Sequence, residues 1–238
     1  MSFGAYRTAM PNFKQFEAKI GYTFRDQALL EQAFTHRSHL NENRAAGKEH
    51  NERLEFLGDA VLELVVTEFL FAKYPDKPEG DLTAYRAALV NTVSIADAAG
   101  KLGMNEFLLL SRGEARDTGR ARQIILANAF EALIGALYLD SGYMTAKDFI
   151  SKNIFHKADD VVAKNLWQDA KSKLQEIAQE QKGVTPTYQL IDQSGPDHDK
   201  TFIIGAFIGT EKVATGEGRS KQEAEQYAAQ KALLAKGW

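Results

Sequence analysis

Glu52, Glu55 and Asp59 stand at i, i+3 and i+7 in the stretch His50-Asn51-Glu52-Arg53-Leu54-Glu55-Phe56-Leu57-Gly58-Asp59-Ala60-Val61-Leu62. On a helix that spacing brings three carboxylates onto one stripe. Like charges so placed repel, and a carboxylate without a partner in apolar surroundings is costly. Something positive should face them. Either the acids form a solvated stripe paired with arginines, or they hold a hard divalent cation through oxygen ligands. A second site of the same kind lies downstream. Glu131 is the only charged residue in the apolar run Ile124 to Leu139, and Asn128 precedes it by three, on the same helical face. A lone acid in such a run is rarely left unpaired. If the two helices pack face to face, Glu55, Asp59 and Glu131 share one place.

Leu54, Leu57, Val61, Leu64 and Val65 recur at helix period, which predicts a helix from Asn51 to Lys73. Tyr74-Pro75-Asp76-Lys77-Pro78 stops it. Phe13 to Ile20 reads as a short helix closed by Gly21, and Asp26 as the cap of the next. Phe34 to His39 is a helix end and polar loop, and Leu40 to Glu49 an exposed loop. Asp81 or Thr83 is expected to cap a further helix, followed by one over Asn91 to Gly100. The loop Ser111 to Gln123 carries Arg112, Arg116, Arg120 and Arg122, for phosphates or for neutralising nearby acids. Ile124 to Leu139 reads as a strongly apolar helix ended by Asp140-Ser141-Gly142-Tyr143, and Thr145 to about His156 as the last helix of the domain. Gly135 and Ala136 favour close helix packing.

Up to residue 157 no convincing period-two run occurs. From Asp169 the pattern changes. An amphipathic helix is followed by strands over Thr187 to Asp192, Thr201 to Ile208 and Glu211 to Gly216, then by a helix opening at Gly218 to Glu225. The expected fold is two domains. An all-α domain spans residues 1–157, a charged connector 158–168, and a small α+β domain of order α-β-β-β-α spans 169–238.

At 238 residues, with 44% hydrophobic content and a net charge of −3, the chain has the composition of a soluble globular protein. It has no cysteine, so disulfides and thiolate metal sites are excluded. Met1 to Pro11 has no apolar run like a signal peptide, and no segment reads as a membrane span, so a cytoplasmic protein with no membrane partner is expected. Neither half is basic overall: residues 168–238 hold 9 Lys+Arg against 10 Asp+Glu. Any face for nucleic acid must come from arrangement.

Asn-Glu-Arg-Leu-Glu-Phe-Leu-Gly-Asp-Ala-Val, residues 51–61, closely resembles the signature of the ribonuclease III family. The second half resembles the double-stranded RNA-binding domain. Together the resemblances cover about residues 13 to 236. They imply an all-α endonuclease domain and an endonuclease that cuts double-stranded RNA to 5′-phosphate and 3′-hydroxyl ends. Ribosomal and messenger RNA precursors are the implied substrates. Such hydrolysis needs a polarised phosphate, an activated water and a stabilised leaving oxygen, which two divalent metals can supply. By position Glu55, Asp59, Asn128 and Glu131 fall where the family holds Mg²⁺, with Mn²⁺ a substitute; Asp59 and Glu131 would be catalytic. Glu52 falls beside them in a supporting role. The residue matching Phe56 implies a homodimer interface.

One departure stands out. The family usually has Asp where this chain has Asn128. An amide oxygen still coordinates Mg²⁺ but brings no charge, so weaker metal binding is expected. The alternative is a double-stranded RNA-binding protein on the same scaffold with impaired or no cleavage. RNA contacts are implied for Gln175 and Glu176, for Pro196 and His198, and for Ser220 and Lys221 at a helix N-terminus. Gln222 and Glu225 replace lysines common in the family, which implies a gentler salt dependence.

Overall fold

The computed structural model describes residues 10–42, 48–163, 170–195 and 200–238. The chain divides into two compact units, Met1–Trp167 and Gln168–Trp238.

The first unit is helical. α1 (Phe13–Ile20) ends on Gly21 at φ 68°, a left-handed position that glycine adopts without a Cβ penalty. The buried Glu17 carboxylate accepts from Phe24 N at 2.8 Å and Gln27 Nε2 at 2.7 Å, which ties the α1–α2 turn down. α2 (Gln27–Ala33) is capped by Asp26, whose Oδ1 accepts from Ala28 N at 2.9 Å. α3 (Arg37–Glu42) occupies part of the region expected to be loop. α4 (Glu52–Lys73), α5 (Glu79–Val90), α6 (Thr92–Lys101), α7 (Arg120–Ile154) and α8 (Ala158–Ala163) follow.

α4 and α7 form the centre. Leu62, Val65 and Leu70 from one meet Phe130, Leu133 and Leu137 from the other in a single core. Phe34 packs edge-to-face on Phe16 and Phe107 tilts against it, with centroids 4.8 and 5.1 Å from Phe16. A short strap fixes the start of α4. Leu109 N donates to Phe34 O at 2.9 Å, His36 N to Leu109 O at 3.1 Å, and Asn51 N to Thr35 O at 2.9 Å. The buried Asn51 amide also donates to Ala33 O.

Four expectations need correction. α5 starts at Glu79 behind Pro78, which sits extended at φ −66° and ψ 161°, so Asp81 and Thr83 lie inside the first turns. Thr83 Oγ1 instead donates to Glu79 Oε1 at 2.9 Å. α7 begins at Arg120, four residues earlier than the apolar run, because its first turn is exposed and polar. It continues to Ile154 across Gly142, whose φ of 81° and ψ of −177° break the helical path. The run from Arg120 to Val162 is long and apolar enough to cross a membrane by length and composition, but many of its apolar side chains, among them Phe130, Leu133, Ile134 and Leu137, are buried in the core of this unit. Finally, residues 158–163 are not connector. Ala158 and Val161 are buried in the first core, and Lys73 Nζ lies 2.6 Å from Asp159.

The second unit pairs β1 (Thr187–Ser194), β2 (Thr201–Ile208) and β3 (Glu211–Gly218) as an antiparallel sheet in that order. α9 (Ala170–Lys182) and α10 (Lys221–Lys236) share a core with it through Leu174, Ala178, Ala206, Ile208, Ala228 and Leu233. β3 can approach α10 closely because Gly216 has no side chain; a Cβ there would come within 2.2 Å of the Ala224 carbonyl oxygen.

Candidate active site and RNA-binding surface

α4 and α7 cross at two glycines. A Cβ on Gly58 would lie 1.7 Å from the Glu131 carbonyl oxygen, and one on Gly135 would lie 2.2 Å from that of Leu54. No side chain fits at either place, so the two backbones come into direct contact. Glu55 and Asp59 flank Gly58 on α4, and Asn128 and Glu131 sit within two turns before Gly135 on α7. The crossing therefore brings together side chains about seventy residues apart in sequence.

The electrostatics show how closely. Burial, then the negative charges of Asp59 and Glu55, push the Glu131 carboxyl up to about 7. Glu55 is raised by burial and by the charges of Glu52 and Asp59, and a hydrogen bond from the Asn128 amide partly offsets this. Every charge acting on Glu131 is another carboxylate. The donors are hard oxygens crowded beyond comfort, the chemistry that suits a hard divalent cation. Among the described residues no three Asp, Glu or His side chains already converge on one ion's position. A cation that keeps several waters needs only one or two carboxylates.

Glu52 faces elsewhere. Its carboxylate lies 3.5 Å from Arg37 Nη1 and 3.8 Å from His50 Nδ1, at the mouth of the strap. Phe56, 82% exposed, points to solvent from the same helix. Of the loop arginines, Arg122 braces its own segment, donating to Asp117 O at 3.1 Å and Glu114 O at 2.6 Å.

In the second unit an open cleft of about 650 Å³ runs between the first turns of α9 and α10. Gln175 and Ser220 both line it, with Lys171, Tyr188, Gln222 and Gln226. Ser220 caps α10 by accepting from Glu223 N at 3.2 Å. Glu176 and Lys221 are exposed. Glu225 is paired with Lys171 at 2.6 Å, and that ammonium stands 5.1 Å from the Tyr188 ring centroid. Pro196 and His198 lie outside the described residues.

Sequence reasoning missed Gly58 as the crossing point. It also missed the strap through Thr35, Asn51 and Leu109. A glycine inside a strongly apolar helix was the available signal for the first; the second is long-range backbone pairing and leaves no local pattern.

The Ribonuclease-III-like family pattern matches residues 26–158, and the double-stranded RNA binding motif matches residues 170–235. Ribonuclease 3 of Protochlamydia amoebophila is 46% identical over 217 residues, 91% of this chain and 89% of that protein. Ribonuclease 3 of Geobacillus kaustophilus is 47% identical over 221 residues, 93% of this chain and 89% of that one. The chain belongs to the ribonuclease III family. A solved ribonuclease III nuclease domain from Campylobacter jejuni, described by its flexibility in a region involved in dimer formation, superposes with a TM-score of 0.54 at 44% identity. It covers 60% of this chain and 98% of the domain. In ribonuclease III terms the first unit is the endonuclease and the second the module for double-stranded RNA.

Proposed function

We propose that this ribonuclease III is a Mg²⁺-dependent endonuclease whose metal is held by Glu55, Asp59, Asn128 and Glu131. The crowding of carboxylates at the α4–α7 crossing carries this reading: Glu131 has acids around it and a proton affinity to match. A divalent ion held there, Mg²⁺ or Mn²⁺ in its place, would supply polarisation of the phosphate, activation of water and stabilisation of the leaving oxygen. The chain's own residues set the stage. Asp59 and Glu131 are the catalytic pair, presenting carboxylate oxygens from two helices held in contact by Gly58 and Gly135. Glu131 would have to be ionised to hold a cation. The Asn128 amide orients Glu55. Glu52 holds Arg37 and so steadies the entrance.

The products are 5′-phosphate and 3′-hydroxyl ends, and the substrates are duplex regions of ribosomal and messenger RNA precursors in the cytoplasm. Gln175 and Glu176 on α9 address one minor groove of the duplex, and the loop bearing Pro196 and His198 the next. Ser220 and Lys221 meet phosphates at the N-terminus of α10. A homodimer through the exposed Phe56 presents two sites to one duplex, one for each strand.

Cleavage of a labelled RNA duplex in Mg²⁺ tests this, with Glu131→Gln and Asn128→Asp alongside. The native chain should cut and Glu131→Gln should not, while both retain the duplex. If only Asn128→Asp cuts, the chain is a binder on a nuclease frame.

A further inference from the structure

α4 is fixed against its neighbours at two points. One is the backbone contact at Gly58 and Gly135. The other is Asn51, the residue before α4, which is 2% exposed. Among the described residues the other buried polar or charged side chains are Glu17 and Thr35, and Thr35 lies in the same strap. An asparagine at a helix start ordinarily takes extended backbone and caps the first free N–H groups with its side-chain oxygen. Asn51 does neither: its backbone is helical at φ −79° and ψ −10°, and its side chain makes no cap bond. Its amide Nδ2 donates instead to Ala33 O at 3.3 Å, and its own N–H to Thr35 O at 2.9 Å. Its carbonyl accepts from the backbone N–H of Glu55 at 2.9 Å. Gln32 adds a parallel tie, donating to His50 O at 3.2 Å. Ala33 closes α2 and Thr35 follows it, and α2 packs on α7, the helix that carries Glu131.

We propose that Asn51 is a positioning residue for the nuclease reaction, pinning the first turn of α4 so that Glu55 keeps its place at the crossing. This rests on reading the crossing as a metal site. A helix held only at Gly58 can roll and tilt about that contact. Glu55 lies three residues from Gly58 and four from Asn51, so a second fixed point removes that freedom at the carboxylate between them. A side chain that served only to start α4 would be aimed at the N–H groups of α4 itself. This amide is directed to the end of another helix.

The probe is Mn²⁺ alone, bound to the full chain and followed by electron paramagnetic resonance without RNA, at a temperature where circular dichroism shows each variant fully folded. Serine ranks with asparagine as a helix cap, but its hydroxyl sits one bond nearer the backbone and loses the reach to Ala33 O. Asn51→Ser should therefore weaken Mn²⁺ binding about tenfold and lower kcat for duplex cleavage by a similar factor, the usual size of a lost outer support to a metal ligand. KM for the duplex should stay, since the second unit carries the RNA-binding motif. A role in starting the helix predicts native Mn²⁺ affinity for the serine variant, and that result overturns the proposal; so does a higher KM with kcat unchanged. Gln32→Ala removes only the parallel tie, from a half-buried side chain, and should weaken Mn²⁺ binding to a smaller extent. If Asn51→Ser does not fold, Gln32→Ala decides, and native affinity there overturns the proposal. Glu131→Gln separates the underlying reading: native Mn²⁺ affinity in that variant shows that the crossing is not the metal site, and the proposal falls with it. Weakened binding there with native binding in Asn51→Ser is the failure of this inference alone.

Discussion

Glu131 is the residue where sequence and environment differ most. An ordinary glutamate ionises near 4.5, and here the carboxyl is pushed up to about 7 by burial and by Asp59 and Glu55. Between those two values the folded protein binds more protons than the unfolded chain, so this group makes stability fall as pH rises. Its contribution is fully present below about 4.5 and is lost as pH passes through about 7. The metal-free native protein should therefore lose melting temperature between pH 5 and pH 8 relative to Glu131→Gln, which has no proton to lose. Paired thermal melts in EDTA read this directly, and parallel curves would show that Glu131 is not the titrating group. On the proposed reading, a proton and a cation would compete for the Glu131 oxygens. At limiting Mg²⁺, cleavage of a duplex should accordingly rise as pH passes through about 7.

At the scale of elements, the site depends on two helices touching. Gly58→Ala must push its new methyl into the Glu131 carbonyl, and Gly135→Ala into that of Leu54. Backbone cannot rotate away as a side chain can, so α4 and α7 must separate. Such overpacking typically costs about 1–3 kcal/mol. Urea unfolding of each variant should show that loss, and Mn²⁺ affinity should fall with it because the carboxylates are carried apart. Asp26→Ala is the contrast. It removes the α2 cap, at about 1 kcal/mol, far from the crossing in sequence and packing. Its melting point should drop while Mn²⁺ affinity stays put. Helix existence and some ends were readable beforehand: Gly21 terminates α1 and Asp26 caps α2 as their chemistry suggests, whereas Asn91, read as the first residue of a helix, is the cap of α6. The start of α5 was not, because Pro78, read as part of the stop after α4, is the residue that opens the next helix.

At the scale of the whole molecule, Phe56 leaves a large apolar side chain in water, on the helix that carries Glu55 and Asp59. Sedimentation of the full chain should give a dimer, and Phe56→Glu should shift it towards monomer. A monomer sedimenting unchanged in both forms would remove the two-strand arrangement. Duplex affinity belongs to the other unit. Lys221→Ala should weaken binding uniformly across sequences and reduce the slope of log affinity against log salt by about 1. The native slope itself should be shallow for a protein of this kind, since Gln222 brings no charge and Glu225 has taken Lys171 as its partner.

What the amino-acid sequence determined by itself is local and periodic. The spacing of Leu54, Val61 and Val65 gives α4 one buried face, and the same period places Glu55 beside Asp59 on the same helix. Alternation and turn residues after Thr187 delimit three strands, two of them extending two residues further than expected. These features depend on neighbours within a few positions, so the chain carries them openly. The tertiary structure decided what joins residues 55 and 131: a backbone contact at Gly58 and Gly135, through which Glu131 acquires its proton affinity. It also decided that residues 158–163 pack with the nuclease core and that Glu225 is neutralised by Lys171. A charge's environment is set by whatever lies within a few ångströms, and sequence distance carries no record of that.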